Sequence, residues 1–266
     1  MEVNKIYNED NLQTMAKMPD NFIDLTITSP PYDELRTYNG FSFDFENIAK
    51  ELFRITKYGG VVVWVVNDAT INGSESLTSF KQTLFFVERC GFKLHDTIIY
   101  EKNSMSMPEK NRYYSVFEYM FIFSKGVPKT INLIEDRKNR WAGTSSFGTR
   151  SQRQRDGSLK KNGRAIVKDF GVRFNIWRYN TGAGYTTKDK IAFEHPAIFP
   201  EKLVADHIRS WSNEGDLIYD CFIGSGTTAK AAHLLNRNWV GSEISKEYCE
   251  IANKRLEKYL MQTKLF

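Results

Sequence analysis

The sequence predicts an α/β fold built on a parallel or largely parallel sheet, and three observations carry that prediction. Strand-sized apolar runs alternate with helix-sized amphipathic segments along most of the 266 residues, the pattern of successive strand–helix–strand units. The alternation fails once, over 127–189, and then resumes, so one domain is laid down in two sequence pieces, 1–126 and 190–266. Each piece holds a strand that ends in a stiff or tightly turning motif: Ser29-Pro30-Pro31-Tyr32 in the first, Gly224-Ser225-Gly226-Thr227 in the second.

Taken in order, residues 3–21 read as a strand or turn and a short helix with Leu12, Met15, Ala16 and Met18 as its apolar members. Phe22–Thr28 mixes apolar and β-branched residues and reads as a mostly buried strand. Pro30 and Pro31 stop it: neither has an N–H and each fixes φ near −65°, so the chain leaves the sheet in an extended shape with a free carbonyl. With the Ser29 hydroxyl before them and the Tyr32 ring after, they form a tip suited to gripping a planar group that carries an amine. A polar, aromatic loop with Asn39-Gly40 follows. Phe45, Ile48, Ala49, Leu52 and Phe53 have helical spacing, and Lys57-Tyr58-Gly59-Gly60 reads as a C-cap. Val61–Val66 is a strand buried on both faces. Ser76–Arg89 forms a second amphipathic helix whose stripe Leu77, Phe80, Leu84 is expected in the core. Phe92–Glu101 and Val116–Ser124 are further strands.

Between 127 and 189 only Val172–Tyr179 looks like a strand. A helix over Glu201–Ser212, a strand over Leu217–Phe222, a helix over Thr227–Leu235, a strand over Trp239–Ile244 and a helix over Lys246–Leu260 complete the chain. No apolar run approaches membrane-spanning length, the amino terminus lacks the plan of a signal peptide, and three scattered cysteines (Cys90, Cys221, Cys249) make neither a disulfide framework nor a zinc site. A soluble, cytoplasmic protein with no membrane partner is expected.

The net charge is +5, but it is unevenly spread. Between residues 137 and 168, Arg137, Lys138, Arg140, Arg150, Arg153, Arg155, Lys160, Lys161, Arg164 and Lys168 stand against a single acid, Asp156. The window carries +9 and leaves −4 for the rest. Basicity so local is the mark of a surface that meets phosphates. Trp141, Phe147, Trp177 and Tyr179 are expected to pack, and His195 to be a satisfied structural histidine.

The second tip is a strand, a glycine-rich turn and a helix start. Its glycines allow a sharp turn and close approach of a ligand, and the helix start offers free N–H groups. Glu243 ends the next strand, where a carboxylate takes the two hydroxyls of an adenosine ribose. Gly224-x-Gly226-x-x-Ala229 nearly fits a dinucleotide fingerprint, which brings an NAD-dependent dehydrogenase into view. Asp220 counts against it, since a carboxylate at the strand end repels a pyrophosphate but accepts from an α-amino group. A cofactor with an amino acid at one end and adenosine at the other fits better, and S-adenosylmethionine is such a molecule.

In these residues the chain resembles the DNA amino-methyltransferases, which modify N4 of cytosine or N6 of adenine. Their proline motif is similar to Ser29-Pro30-Pro31-Tyr32, and their cofactor motif, Asp-Pro-Phe-x-Gly-Ser-Gly-Thr, resembles Asp220–Thr227 with Cys221 in place of proline. His195–Pro200, with Phe199, resembles the segment that closes over the methionine part of the cofactor. Asp10 resembles the acid of a Gly-Asp pair near the adenine, with Glu9 where the family has glycine. The order of proline motif, basic insert and cofactor motif is similar to the family's beta arrangement. The resemblance implies a doubly wound, Rossmann-like sheet of seven strands with the 127–189 insert as target-recognition region. It implies that Asp220, Phe222, Gly224, Gly226 and Thr227 hold the amino-acid end of S-adenosylmethionine, that Glu243 takes the ribose, and that the basic residues other than Lys168 named above grip double-stranded DNA. It leaves room for a homodimer and for a cognate restriction endonuclease.

The chemistry implied is direct transfer to an extruded base. Extrusion costs a few kcal/mol, and stacking on Tyr32 returns about 1–3 kcal/mol. Accepting the amine hydrogens at Ser29 and at the Pro30 carbonyl frees the nitrogen lone pair for attack on the sulfonium methyl. A neutral serine before Pro-Pro favours N4 of cytosine; the alternatives are N6 of adenine, an RNA or protein-glutamine substrate, and a non-catalytic DNA-binding relative.

Overall fold

The computed structural model describes residues 1–31, 43–103, 111–145, 150–162, 165–182 and 184–261. The chain forms two compact units, Met1–Asn132 with Asn175–Phe266, and Leu133–Phe174. The first unit is built on one sheet whose strands are β1 (Lys5–Tyr7), β2 (Ile23–Thr28), β3 (Thr56–Val66), β4 (Lys93–Lys102), β5 (Phe117–Ser124), β6 (Ile176–Tyr179), β7 (Leu217–Asp220) and β8 (Asn238–Ser242). Their spatial order is β1-β8-β7-β2-β3-β5-β4-β6. β5 runs antiparallel to both its neighbours, and the other pairings are parallel. The helices are α1 (Asn11–Ala16), α2 (Phe45–Ile55), α3 (Thr78–Phe85), α4 (Glu201–Trp211), α5 (Thr227–Leu234) and α6 (Lys246–Leu260).

Eight strands stand where seven were expected. The eighth, β6, comes from the stretch read as insert, and alternation explains its place: Trp177 and Tyr179 are buried while Ile176 and Arg178 face outward. The Trp177 ring stacks on His207 of α4 at 4.7 Å between centroids, and the Tyr179 hydroxyl donates to Asp206 Oδ2 at 2.8 Å. A residue pair with that much apolar area to hide joins the sheet rather than a polar insert. The second unit is correspondingly shorter than 127–189.

The core forms where the strands meet α2. Val61, Val62, Val63, Trp64 and Val65 of β3 are each no more than 1% exposed, as a strand covered on both faces requires. Ile48, Ala49, Leu52 and Ile55 of α2 pack with Val62, Trp64 and Val66, on one face of β3. The glycine pair expected to cap α2 lies inside β3 instead, because the helix already ends at Thr56, whose N–H bonds Leu52 O. The β2–β3 register jumps from Ile23↔Thr56 to Leu25↔Val61, and Gly59, at φ +79°, takes up the surplus in a left-handed bulge.

α3 overturns one expectation. Leu77, Phe80 and Leu84 are 48%, 45% and 55% exposed, and the face turned inward is Ser79, Gln82 and, immediately after the helix, Phe86. Hydrogen bonding decides the rotation. Gln82 Oε1 accepts from the buried Trp64 Nε1 at 2.8 Å, and Asp68 accepts from the Ser79 backbone at 2.9 Å and side chain at 2.5 Å. An unpartnered indole N–H in this core would cost about 1–3 kcal/mol, and the rotation that gives Trp64 its acceptor leaves the stripe outward.

The second unit consists of short antiparallel pairs, Arg150–Arg153 with Leu159–Asn162 and Arg137–Lys138 with Phe170–Gly171.

Candidate active site

In an open parallel sheet, ligands bind beyond the carboxyl ends of the strands where the winding reverses. Here that place lies between β7 and β2, which pair through Ile218↔Leu25 and Tyr219↔Thr26. The two motifs of the sequence are the continuations of these two strands. Thr28, the last residue of β2, donates its hydroxyl to Asp220 Oδ1, the last residue of β7, at 2.7 Å. A cleft of ≈ 970 Å³ opens there, lined by Ser29, Pro30 and Pro31 on one side and by Asp220, Phe222, Gly224 and Thr227 on the other. Tyr32 and the Asn39-Gly40 loop lie outside the described residues.

Asp220 is 2% exposed. Its carboxylate accepts from Thr28, from the Thr228 hydroxyl at 2.6 Å and from the Phe222 backbone N–H at 3.1 Å. Burial pushes its pKa up to about 6, and these three donors pull it back only in part. Its neighbour Cys221, in the place of the family's proline, is buried, and burial pushes its thiol well above the ordinary range. It is an apolar filler here, inert as a nucleophile.

Glu243 follows β8 and lines the same cleft. Its two carboxylate oxygens accept from Gly224 N at 3.0 Å and Ser245 N at 2.9 Å, and burial raises its pKa. The glycine turn is thereby tied to the carboxylate expected to meet a ribose. Gly224 sits at φ +48°, and a Cβ there would come within 2.9 Å of His195 Nε2. Gly226 caps α5 at φ +81° and faces α6 rather than the cleft: a Cβ would meet Ala252 Cβ at 3.2 Å. The two glycines thus answer different demands, close approach to the cleft at Gly224 and close helix packing at Gly226.

Asp10 caps α1 by accepting from Leu12 N at 2.8 Å and lines the cleft, as does Phe199. His195 is buried against the turn, holds Ala197 O at 2.6 Å through Nδ1 and meets the Tyr248 ring at 4.3 Å. Among the described residues the lining includes six carboxylates, Glu9, Asp10, Asp44, Glu118, Asp220 and Glu243, against one lysine, Lys102. An anionic acceptor set of this kind fits S-adenosylmethionine, whose sulfonium and α-ammonium are both cationic and whose ribose offers hydroxyl donors.

Behind the glycine turn lies a cluster that sequence reading missed. The Arg255 side chain of α6 is fully buried. Its guanidinium donates to Ser225 O at 2.9 Å, Thr227 Oγ1 at 2.9 Å, Asp189 Oδ2 at 3.0 Å and Glu201 Oε1 at 2.6 Å. Lys230 joins the same two acids at 2.8 and 2.7 Å, and Lys258 and Tyr259 close on Asp189 Oδ1. These cations hold the Asp189 carboxyl far below the usual range despite the cost of burying it. Asp189, Glu201, Lys230 and Arg255 stand in separate elements with no motif spacing, so only the folded chain brings them together.

In the second unit Lys138, Arg140, Arg153, Arg155, Lys160 and Lys168 are exposed. Arg137 is half-buried and differently engaged, donating to Val172 O at 3.0 Å and covering the Phe174 ring at 4.6 Å. The side chains of Arg150 and Lys161, and all of Arg164 and Phe147, lie outside the described residues. Trp141, expected to pack, is 59% exposed with Arg140 over its ring at 5.3 Å.

A cleft at the switch point, an extended proline tip and a glycine turn under an acidic lining define an S-adenosylmethionine-dependent methyltransferase. The chain belongs to the N6/N4 methyltransferase family, described as DNA methylases, whose pattern it matches over residues 23–254. It is 62% identical to the orphan methyltransferase M.BamHII of Bacillus amyloliquefaciens over 90% of either chain. It is 26% identical to the type II methyltransferase M.BglII of Bacillus subtilis, over 94% of this chain and 68% of that one. Among solved structures, the PvuII cytosine-N4-specific DNA methyltransferase superposes with a TM-score of 0.70 at 20% identity, covering 98% of this chain and 87% of that one. M1.HpyAVI in complex with SAM superposes with a TM-score of 0.61 at 21% identity, covering 95% and 98%. The protein is a DNA methyltransferase that uses S-adenosylmethionine, and among its described residues no helix is long and apolar enough to cross a membrane.

Proposed function

We propose that the protein methylates the exocyclic amine of a base extruded from double-stranded DNA, with N4 of cytosine as its target. The hydrogen bond between Thr28 and Asp220 carries this reading, since it holds the proline tip and the glycine turn on either side of one cleft. S-adenosylmethionine supplies an electrophilic methyl group. Asp220, Phe222, Gly224 and Thr227 bind its amino-acid end, Glu243 accepts from its ribose hydroxyls, and Asp10 and Phe199 border it. Gly226 acts from behind by seating α5 on α6.

Ser29 and the Pro30 carbonyl accept the amine hydrogens, which pulls the nitrogen toward a tetrahedral shape and makes its lone pair available. Pro30 and Pro31 hold that carbonyl in a fixed direction, and Tyr32 stacks on the base. A hydroxyl, rather than a carboxylate, before Pro-Pro suits the more polarised amine of cytosine. The exposed basic side chains of the second unit engage phosphates and fix the register of the duplex.

Replacement of Ser29 by Ala tests the assignment. Methyl transfer to DNA, followed with labelled cofactor, falls by about 100-fold or more, while S-adenosylmethionine binding measured by calorimetry stays as in the parent. Unchanged transfer by Ser29→Ala removes the proline tip from the chemistry.

A further inference from the structure

The cleft continues past the proline tip, away from the glycine turn, along the carboxyl edge of the sheet. There it is lined by Asn67 after β3, Glu118 near the start of β5, and Lys102 at the end of β4. Lys102 is the one lysine or arginine among the described lining residues. Its ammonium donates to Glu118 Oε1 at 2.8 Å, with side-chain exposures of 21% and 15%. Its backbone is pinned as well, Lys102 N donating to Val116 O at 2.7 Å. A cation held at a fixed place, where the charged side chains among the other described lining residues are carboxylates, has a different task from the cofactor-binding half. The cofactor brings positive charge, which the far half does not suit. The groups that want a cationic donor are neutral acceptors on the other reactant.

A base set with its amine at the proline tip turns its Watson–Crick edge along the cleft wall, and extruded bases are read on that edge. Beside the cytosine amine lie two acceptors, N3 and O2; beside the adenine amine lies one, N1, followed by a carbon. An ammonium has three donors and no acceptor. One is given to Glu118, and two remain. We propose that Lys102, aimed by Glu118, reads the acceptor edge of the extruded base and so sets its amine toward Ser29 and Pro30. Two remaining donors match the two acceptors of cytosine. This rests on the reading of the cleft as the pocket for a DNA base, and it assigns a specificity-determining role to a residue outside both sequence motifs.

The test uses the purified full chain, labelled S-adenosylmethionine and genomic DNA from a host without DNA methylation, with transfer rate, cofactor affinity, melting temperature and the identity of the methylated nucleoside all measured. Lys102→Met is compared with Lys102→Arg and with Lys102→Met/Glu118→Gln, which takes the charge from both members of the pair. Both Met variants lose about 10- to 100-fold in kcat/KM for DNA, with cofactor affinity unchanged. Lys102→Arg, which keeps charge and donors, recovers most of the loss. A pair that merely braces β4 against β5 predicts the opposite, a lowered melting temperature with kcat/KM restored in the double variant. Parental transfer by the folded double variant overturns the inference and leaves the proposed function standing. A parent protein that transfers nothing to DNA overturns both.

Discussion

Asp220 is structural by its contacts and, in the proposed function, also binds the cofactor. Three donors orient it and its environment lifts its pKa to about 6, so it titrates just below neutrality rather than near 4. Its ionised form is the one that attracts an ammonium group, and acid removes that form first. S-adenosylmethionine affinity is therefore flat above about pH 7 and weakens by about tenfold per unit below pH 6. Calorimetry between pH 5 and 8 measures this. Glu243, also raised, titrates in the same direction, and Asp220→Asn, weak but with a shallower slope, separates the two. An affinity independent of pH in the parent contradicts the assignment. For folding, the sign is reversed: a raised carboxyl binds its proton more tightly in the native state, so its contribution to stability grows as pH falls through 6. The Asp189 and Glu201 carboxyls are held low by their cations, so what they contribute is present above the ordinary carboxylate range and is lost as acid protonates them.

Among elements, α6 and α3 make opposite points about pattern and partner. α6 ends the chain far from either motif, yet its Arg255 holds the carbonyl of Ser225 and the hydroxyl of Thr227. Breaking a buried ion cluster by removing one partner costs about 3–5 kcal/mol. Arg255→Met accordingly lowers the melting temperature strongly and, in the fraction that remains folded, weakens cofactor binding more than DNA binding. Thermal unfolding with parallel binding measurements checks both. On α3 the apolar stripe is a surface: Leu84→Ser changes stability by no more than about 0.5 kcal/mol, whereas Leu52→Ala on α2 costs about 2–5 kcal/mol. Equal losses in chemical denaturation would contradict the rotation of α3. The order of elements and the two tips were legible in the sequence because each is a local signal: a period, a proline pair, a glycine turn. The rotation of α3 was not, because it turns on Gln82 meeting Trp64 eighteen residues away. Arg255 and Lys102 were hidden for the same reason, as single charges whose meaning lies in partners brought by the fold.

On the scale of the whole molecule, charge is divided by task. The first unit holds a cleft lined by acids, fit for a cationic cofactor, and the second carries exposed cations on short strands and turns. The charge count along the sequence anticipated this division, but not that Ile176–Tyr179 belongs to the sheet. Reversing Arg153, Arg155 and Lys160 to Glu weakens DNA binding and flattens its dependence on salt by about 0.9 in log–log slope for each phosphate no longer neutralised. Cofactor affinity does not change. A salt titration of DNA binding, with calorimetry for the cofactor, distinguishes this from a general loss of fold.

In the proposed function the base resting at the proline tip is cytosine. Unmethylated genomic DNA is incubated with the protein and labelled S-adenosylmethionine, digested to nucleosides and resolved by mass. The label is expected in N4-methylcytosine. Label in N6-methyladenine contradicts the base assignment and, with it, the match between Lys102 and the two acceptors of cytosine.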